Sequence, residues 1–435
     1  MTLTGRTALI AALSALITGL VFPGATGLLL VNGLLLLAIL GDLALAAPVR
    51  TLHFTRSGDT SVRVDEQASV QLTVVNPSGR PLRAVIRDAW PPSTLPTGGR
   101  AAVRHRLTVP PGEQGRITTE FRPARRGDHA PDRVTVRSHG PLGLAARQGS
   151  HRIPWRLRVL PPFTSRRHLP AKLARLRELD GRTSILTRGE GTEFDSLREY
   201  IPGDDTRSID WRATARRSAV AVRTWRPERD RHILLVLDTG RTSAGRVGDI
   251  PRLDAAMDAA LLLTAVAGRA GDQVGLLAYD RRVRASVQSR TAGNPLSAVV
   301  TALAGLEPEL VETDARGLAA AALRVAPRNS LIVLLTTLDA APVEEGLLPV
   351  LSRLTHRHTV LLAAVSDPHI QRMTEARGTP EAVYRAAAGT RAQSERRRVA
   401  ERLRGHGVTV VDALPDELAP ALTDAYLSLK ATGRL

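Results

Sequence analysis

Two apolar stretches at the start of the chain, residues 7–22 (TALIAALSALITGLVF) and 25–47 (ATGLLLVNGLLLLAILGDLALAA), constrain everything that follows them. The second is long enough to cross about 30 Å of hydrocarbon, and the first reaches that length only by borrowing neighbours such as Leu3. Pro23 and Gly24 lie between them, so residues 1–48 are predicted to form a tight transmembrane helical hairpin. A signal peptide cleaved near Ala46, behind a short basic start at Arg6, would need only one such segment. Arg50, Arg56 and Arg63 follow the second stretch while the connecting turn carries no charge. By the positive-inside rule both termini, and the bulk of the chain, are expected in the cytoplasm of a two-pass cell-membrane protein. Asn32 and Asp42 are polar groups within the second span. Asn32 is expected to bond across the hairpin and Asp42 to sit at the interface, neither with a functional role.

Between residues 49 and 160 the period changes to two, as in Ser69-Val-Gln-Leu-Thr-Val-Val, Arg83-Ala-Val-Ile-Arg and Arg133-Val-Thr-Val-Arg. Turn signals at Asn76-Pro-Ser-Gly and Pro110-Pro-Gly separate the alternating runs. Short alternating strands at such spacing predict a small immunoglobulin-like β-sandwich. Residues 161–230 then form a basic connector and a dense block of acids and arginines, Gly189 to Arg229, which holds Trp211 and Trp225. The spacings Phe194, Leu197, Ile201 and then Ile209, Ala213 predict two short helices broken at Pro202-Gly203. Trp211, beside Ile209, is expected to anchor this block in the fold. Two readings of the charged residues stand: an internal network that glues the connector to the next domain, or a docking surface made of Asp204, Asp205, Arg207, Asp210 and Arg212.

That block resembles the bacterial family of domain of unknown function 58. The resemblance rests on Gly189 to Phe194 (Gly-x-Gly-x-Glu-Phe), Leu197 to Tyr200, Pro202 to Asp205, Arg207 to Trp211 and Ala213 to Arg216. It extends to Arg126-Gly127-Asp128, where His129 stands in place of the family's Tyr, and to Pro141-Leu-Gly-Leu. An Arg-Gly-Asp in a cytoplasmic turn is read here as a turn and not as an adhesion motif. The resemblance implies a membrane protein with a von Willebrand factor A-like domain. It also implies a partner, because relatives are commonly encoded beside MoxR-type AAA+ ATPases; other membrane-anchored von Willebrand factor A proteins are further partners it suggests.

Residues 231–435 alternate apolar runs with helical patterns, beginning at Ile233-Leu-Leu-Val-Leu-Asp238. Such alternation predicts a doubly wound α/β sheet, whose ligands sit outside the carboxyl ends of the strands. The von Willebrand factor A resemblance implies a Mg²⁺ site there, built from Asp-x-Ser-x-Ser, a Thr and a second Asp. This chain offers Asp238, Thr242 and Thr313, with Gly240 in the first hydroxyl position and Thr337 in place of the second Asp. The site is thus degenerate, with no tight metal expected and at most weak Mg²⁺ binding; Asp238 is expected to bond loop amides instead.

The chain has no cysteine, which excludes disulfides, thiolate metal sites and Cys nucleophiles. There are two lysines, Lys172 and Lys430, among 60 basic residues, and no phosphate-cradling Gly-x-x-x-x-Gly-Lys. The net charge of +18 comes with only 3% aromatics, so the stacking platforms of nucleic-acid binders are missing; the arginine bias reads first as a GC-rich genome, second as attraction to an anionic leaflet and only third as nucleic-acid binding. No catalytic constellation emerges. The chain therefore reads as a membrane-anchored, non-enzymatic protein-binding scaffold or adaptor, working with an AAA+ ATPase in the maturation or assembly of a complex. Two other classes stand beside it: an extracytoplasmic, Mg²⁺-dependent adhesion-type binder, and a hydrolase using Asp204, Asp205 and Asp210.

Overall fold

Runs that alternate in sequence alternate in exposure. Leu72 and Val74, like Leu82, Ala84 and Ile86, turn inward while their neighbours face out. The computed structural model describes residues 1–20, 24–94, 102–186, 193–201, 206–216, 219–226, 231–248, 250–288 and 294–435. The chain divides into two compact units, Met1–Leu160 and Pro161–Leu435.

The first unit runs β1 (Thr2–Leu3), α1 (Gly5–Leu20), α2 (Ala25–Leu45), β2 (His53–Gly58), β3 (Ser61–Arg63), β4 (Ala68–Val75), β5 (Leu82–Ala89) and β6 (Ala102–Val109). It continues with β7 (Gln114–Phe121), β8 (Gly127–His129), β9 (Val134–His139), β10 (Ala145–His151) and β11 (Leu157–Leu160). A five-stranded sheet, β1-β10-β9-β5-β6, faces a three-stranded one, β2-β4-β7, and β3-β11-β8 forms a third. Side chains from the two facing sheets, including Leu72, Ile86, Ile117 and Val136, share one apolar core. Beside a second cluster around Trp90 and Phe121, the buried Arg56–Asp88 pair is bidentate, and the Trp90 indole donates to the same carboxylate at 2.9 Å.

Among the described residues, α2 opens the one helical segment long and apolar enough to cross a bilayer; α1, at 16 residues, is shorter. Both helices leave most of their leucines exposed. Asn32 does not bond across to α1. Its amide donates to the Leu28 carbonyl of its own helix, one turn back, at 2.9 Å. Asp42 departs further from its expected interfacial place, since it is fully buried. Its carboxylate accepts from the backbone amides of Leu142 (2.7 Å), Leu144 (2.7 Å) and Ala145 (2.9 Å), so the Pro141-Leu-Gly-Leu turn wraps it. Gly140 permits the approach, because a Cβ there would overlap the Asp42 carbonyl and carboxylate oxygens. Gly143, at φ +69°, closes the turn in the left-handed region. Two arginines complete the joint: Arg147 donates to the Leu43 carbonyl at 2.9 Å, and Arg80 to that of Ala44. The chain start joins in, with Leu3 paired to Ala145 and Thr4 donating to Gly143 at 2.7 Å.

The second unit opens with α3 (Leu169–Leu186), β12 (Glu193–Glu199), α4 (Trp211–Thr214), β13 (Ala221–Arg226) and β14 (His232–Asp238). There follow α5 (Arg241–Ala244), β15 (Arg246–Val247), β16 (Ile250–Pro251), α6 (Arg252–Arg269), β17 (Gln273–Tyr279), β18 (Val283–Val287), α7 (Pro295–Ala304) and α8 (Ala315–Val325). The last elements are β19 (Leu331–Leu335), α9 (Leu348–Thr355), β20 (Thr359–Val365), α10 (Pro368–Glu375), α11 (Pro380–Gly405), β21 (Thr409–Ala413) and α12 (Pro415–Ala431). The main sheet is β18-β17-β14-β19-β20-β21, parallel except for the edge strand β18. Strands β14, β19 and β20 are buried almost end to end, as their unbroken apolar runs require. Helix α6 buries most of its length, and the connector docks on it, where Asp258 accepts from the Ser165 amide and the Thr164 hydroxyl. Burial pushes the Asp258 carboxyl up, against those hydrogen bonds.

Candidate functional site

Strand β14 has β17 on one side and β19 on the other, and the chain reverses its direction of winding between them. Loops leaving the carboxyl ends of β14 and β19 must therefore part, and a crevice opens there. It forms a cavity of about 280 Å³ floored by Val236, Leu318 and Leu334 and rimmed by Arg241, Glu312 and Glu345. Asp238, at the end of β14, lies within it and is 5% exposed.

Both oxygens of the Asp238 carboxylate are engaged. Oδ1 accepts from the Gly240 amide at 2.9 Å and the Thr313 hydroxyl at 2.5 Å, and Oδ2 from the Thr336 hydroxyl at 2.6 Å. The Ser243 hydroxyl donates to the Asp238 carbonyl at 2.7 Å. Of the three residues read as metal ligands, Asp238 and Thr313 thus meet directly, and Thr242 lines the same cavity. Gly240 is needed by this arrangement, because a Cβ there would overlap the Thr313 hydroxyl. Thr336 was missed by sequence reasoning, which placed the relevant residue one position later. Thr337 instead accepts from the Asp339 amide at 3.2 Å. Asp339 belongs to an ion-pair network with Arg252 (3.3 Å) and Arg396 (3.6 Å), and Arg396 also holds Asp412 at 2.7 Å.

This donor set does not fit an octahedral Mg²⁺ shell. One carboxylate with both oxygens accepting, and a glycine where a hydroxyl is wanted, leave too few free oxygens for a hard cation. Among the described residues no group of three or more His, Asp or Glu gathers as a metal site would need. The arrangement instead knits three loops together around Asp238. A neighbouring knot does the same: Asp280 accepts from the Arg281 amide (2.6 Å), the Thr239 hydroxyl (3.2 Å) and Arg284 (3.2 Å). Burial raises the Asp280 carboxyl, but the Arg281 and Arg282 amides, the Thr239 hydroxyl and Arg284 outweigh it and hold it below its ordinary range.

The acid-rich block is built differently from its expected pair of helices. Its first half is β12, paired antiparallel with β13. Three apolar residues spaced by three and four fit a helix, yet they span too few residues to exclude a strand, and the β-branched run Val220-Ala-Val-Arg-Thr supplies a partner. The second half is one short turn, α4, capped by Asp210, which accepts from the Arg212 amide (2.9 Å) and the Ala213 amide (3.0 Å). Arg223 of β13 donates to the other Asp210 oxygen at 2.7–2.8 Å. The Ala213 amide first, then Arg223, hold the Asp210 carboxyl below its ordinary range.

Trp211 is not the expected anchor. Ile209 bridges to Val222 and Asp210 spends its side chain on the cap, so Trp211, first residue of the turn, projects outward and is 69% exposed. Ile201 and Val220 are exposed beside it in register, because Tyr200 donates to Val220 and Asp210 to Ala221 across the ribbon. Arg207 and Arg212 are exposed as well. Asp204 and Asp205 lie outside the described residues.

A family model described as "Protein of unknown function DUF58" matches residues 196–405, from within β12 to the end of α11. Residues 196–405, just under half of the chain, are thus similar to the DUF58 family. Among curated proteins, the uncharacterized protein YeaD of Bacillus subtilis is 26% identical over 44% of this chain and 48% of its own length. The uncharacterized protein Rv1480 of Mycobacterium tuberculosis is 28% identical over 42% of this chain and 57% of its own length. The chain thus spans about half the length of these curated relatives. Among solved structures, the CARDB domain of the PF1109 protein from Pyrococcus furiosus has a TM-score of 0.19 and 14% identity, over 27% of this chain and 91% of that one. A score that low carries no argument.

Proposed function

We propose that this protein is a membrane-anchored scaffold that docks a protein partner through the ribbon of β12 and β13. The observation that carries the reading is Trp211: an indole exposed beside Ile201 and Val220 is the kind of aromatic anchor that protein interfaces bury. The arginines around it, Arg207 and Arg212, supply a polar rim. The partner's class comes from the resemblance described above, a MoxR-type AAA+ ATPase, with which the scaffold would work in maturing or assembling a complex. We read the first unit as an immunoglobulin-like sandwich on a two-helix hairpin and the α/β unit as von Willebrand factor A-like, which the strand order and the antiparallel edge strand support.

The two-pass arrangement is supported by β1. Thr2 and Leu3 pair with β10, so the start of α1 lies with the strands that hold the carboxyl end of α2. If α2 crosses the bilayer, α1 has to cross it the other way. Small residues on the buried side of α1 (Thr7, Ser14, Thr18) suit close packing of two such helices.

Co-purification from membranes tests the docking claim. Trp211→Ala should reduce the recovered ATPase by roughly the 30-fold that losing a 2 kcal/mol hot spot implies, and Trp211→Phe should retain part of it. Because the side chain is exposed, the melting free energy should move by no more than about 0.5 kcal/mol. Unchanged recovery with Trp211→Ala, or early melting of that variant, would reject the docking face.

A further inference from the structure

We propose that the end of the first unit that holds α1 and α2 is a binding surface for anionic phospholipid headgroups. The inference rests on the reading of α2 as a membrane anchor. Four arginines converge on the few residues where the helices meet the strands. Arg147 donates to Leu43 and Arg80 to Ala44, both in the last turn of α2. Arg83 donates to the Pro141 carbonyl at 3.5 Å, and the Arg6 guanidinium lies against Gly143. Arg6, Arg80 and Arg83 are exposed and Arg147 is half-buried.

Among the described residues none of the four has a carboxylate partner. Arg80, Arg83 and Arg147 donate to backbone carbonyls, which leaves their positive charge uncompensated. The acid at their centre, Asp42, is fully buried and its oxygens accept three amides, so it does not neutralise them from outside. Leu142, 56% exposed, stands at the tip of the turn that wraps Asp42, and Leu45 is exposed at the end of α2. An apolar tip ringed by guanidinium groups that have no carboxylate partner among the described residues, at the level where an apolar helix ends, matches the boundary between acyl chains and phosphate headgroups. Guanidinium groups suit that level because they bind phosphate oxygens bidentately. The Asp42 joint then fixes the strands to the helices, so the arginines are held at headgroup height by the fold.

The test uses the full chain in a neutral detergent, titrated with phosphatidylglycerol or phosphatidylcholine, with bound lipids counted by native mass spectrometry. Phosphatidylglycerol should be retained in preference. At about fivefold per arginine near an anionic surface, Arg6→Gln with Arg83→Gln should weaken that retention about 25-fold, while Arg6→Lys with Arg83→Lys should keep most of it. A melt of each variant establishes that it is folded. Equal retention of both lipids, or a preference untouched by the Gln pair in a folded protein, overturns the inference. Carbonate extraction of native membranes separates the two claims: release of the chain defeats the anchor reading itself, whereas a chain that stays membrane-bound without lipid preference defeats only this surface.

Discussion

Replacing Asp42 should loosen the joint between α2 and the strands, and the structure sets the size of the effect. The carboxylate accepts amides of Leu142, Leu144 and Ala145 at 2.7–2.9 Å, and the last two of these bonds are buried. In Asp42→Ala two buried donors lose their acceptor, at about 1–3 kcal/mol each, so the variant should cost about 2–6 kcal/mol. Asp42→Asn keeps one acceptor oxygen but turns an NH₂ toward a backbone N–H, so it should cost roughly 1.5–3 kcal/mol, the worth of one bond to a charged group. For a unit of this size each kcal/mol lowers Tm by about 2–4 °C. The assay is a thermal melt of the detergent-solubilised full chain, with tryptic cleavage at Arg147 as a local probe. Arg147 lies beside the joint and donates to Leu43, so cleavage there should accelerate in the order wild type, Asp42→Asn, Asp42→Ala. If both variants melt within about 0.5 kcal/mol of wild type, as ordinary surface changes do, the joint is not a stabilising one and the reasoning fails.

Gly240→Ser restores the hydroxyl that a Mg²⁺ loop would want, yet its Cβ meets the Thr313 hydroxyl, so it should destabilise by about 1–3 kcal/mol and Thr313→Ala should relieve part of that. A fluorimetric melt in which the single variant is neutral would show that the loop around Asp238 yields. For Asp280, held below its ordinary pKa, the stabilisation is complete above the unfolded value of about 4 and disappears as pH falls through the folded one. Asp280→Asn should lower stability at pH 7 and flatten the acid limb of a urea-unfolding series from pH 7 to 3; an unchanged limb would refute the assignment.

What could be read from the chain depended on how far each signal reached. The sheet strands β14, β19 and β20 are apolar runs buried on both faces, and burial on both faces writes itself into every residue. Asp238 was legible because it closes such a run, and Thr313 through the von Willebrand factor A resemblance, whereas Thr336, the residue after β19, was displaced to Thr337 because composition does not mark where that strand ends. The β12 half of the ribbon was misread as helix, since helix and strand patterns coincide over so few residues. Trp211 was assigned inward by its type, but direction is decided by the Asp210 cap, a tertiary detail. Asp42 was the largest surprise: its partners lie some hundred residues away in the Pro141-Leu-Gly-Leu turn, and no local pattern joins them.

The account as a whole depends on the chain being anchored with its folded units on the ATP-containing side of the membrane. The protein has no cysteine of its own, so introduced cysteines report without background. Thr26→Cys, exposed in the first turn of α2, and Ser150→Cys and Ser352→Cys, exposed in the first and second units, can each be treated with a membrane-impermeant maleimide in intact cells. The account predicts labelling of the Thr26 site in intact cells and of the other two only after permeabilisation. Labelling of the Ser150 or Ser352 sites in intact cells would contradict it, placing the docking ribbon beyond the reach of any cytoplasmic ATPase.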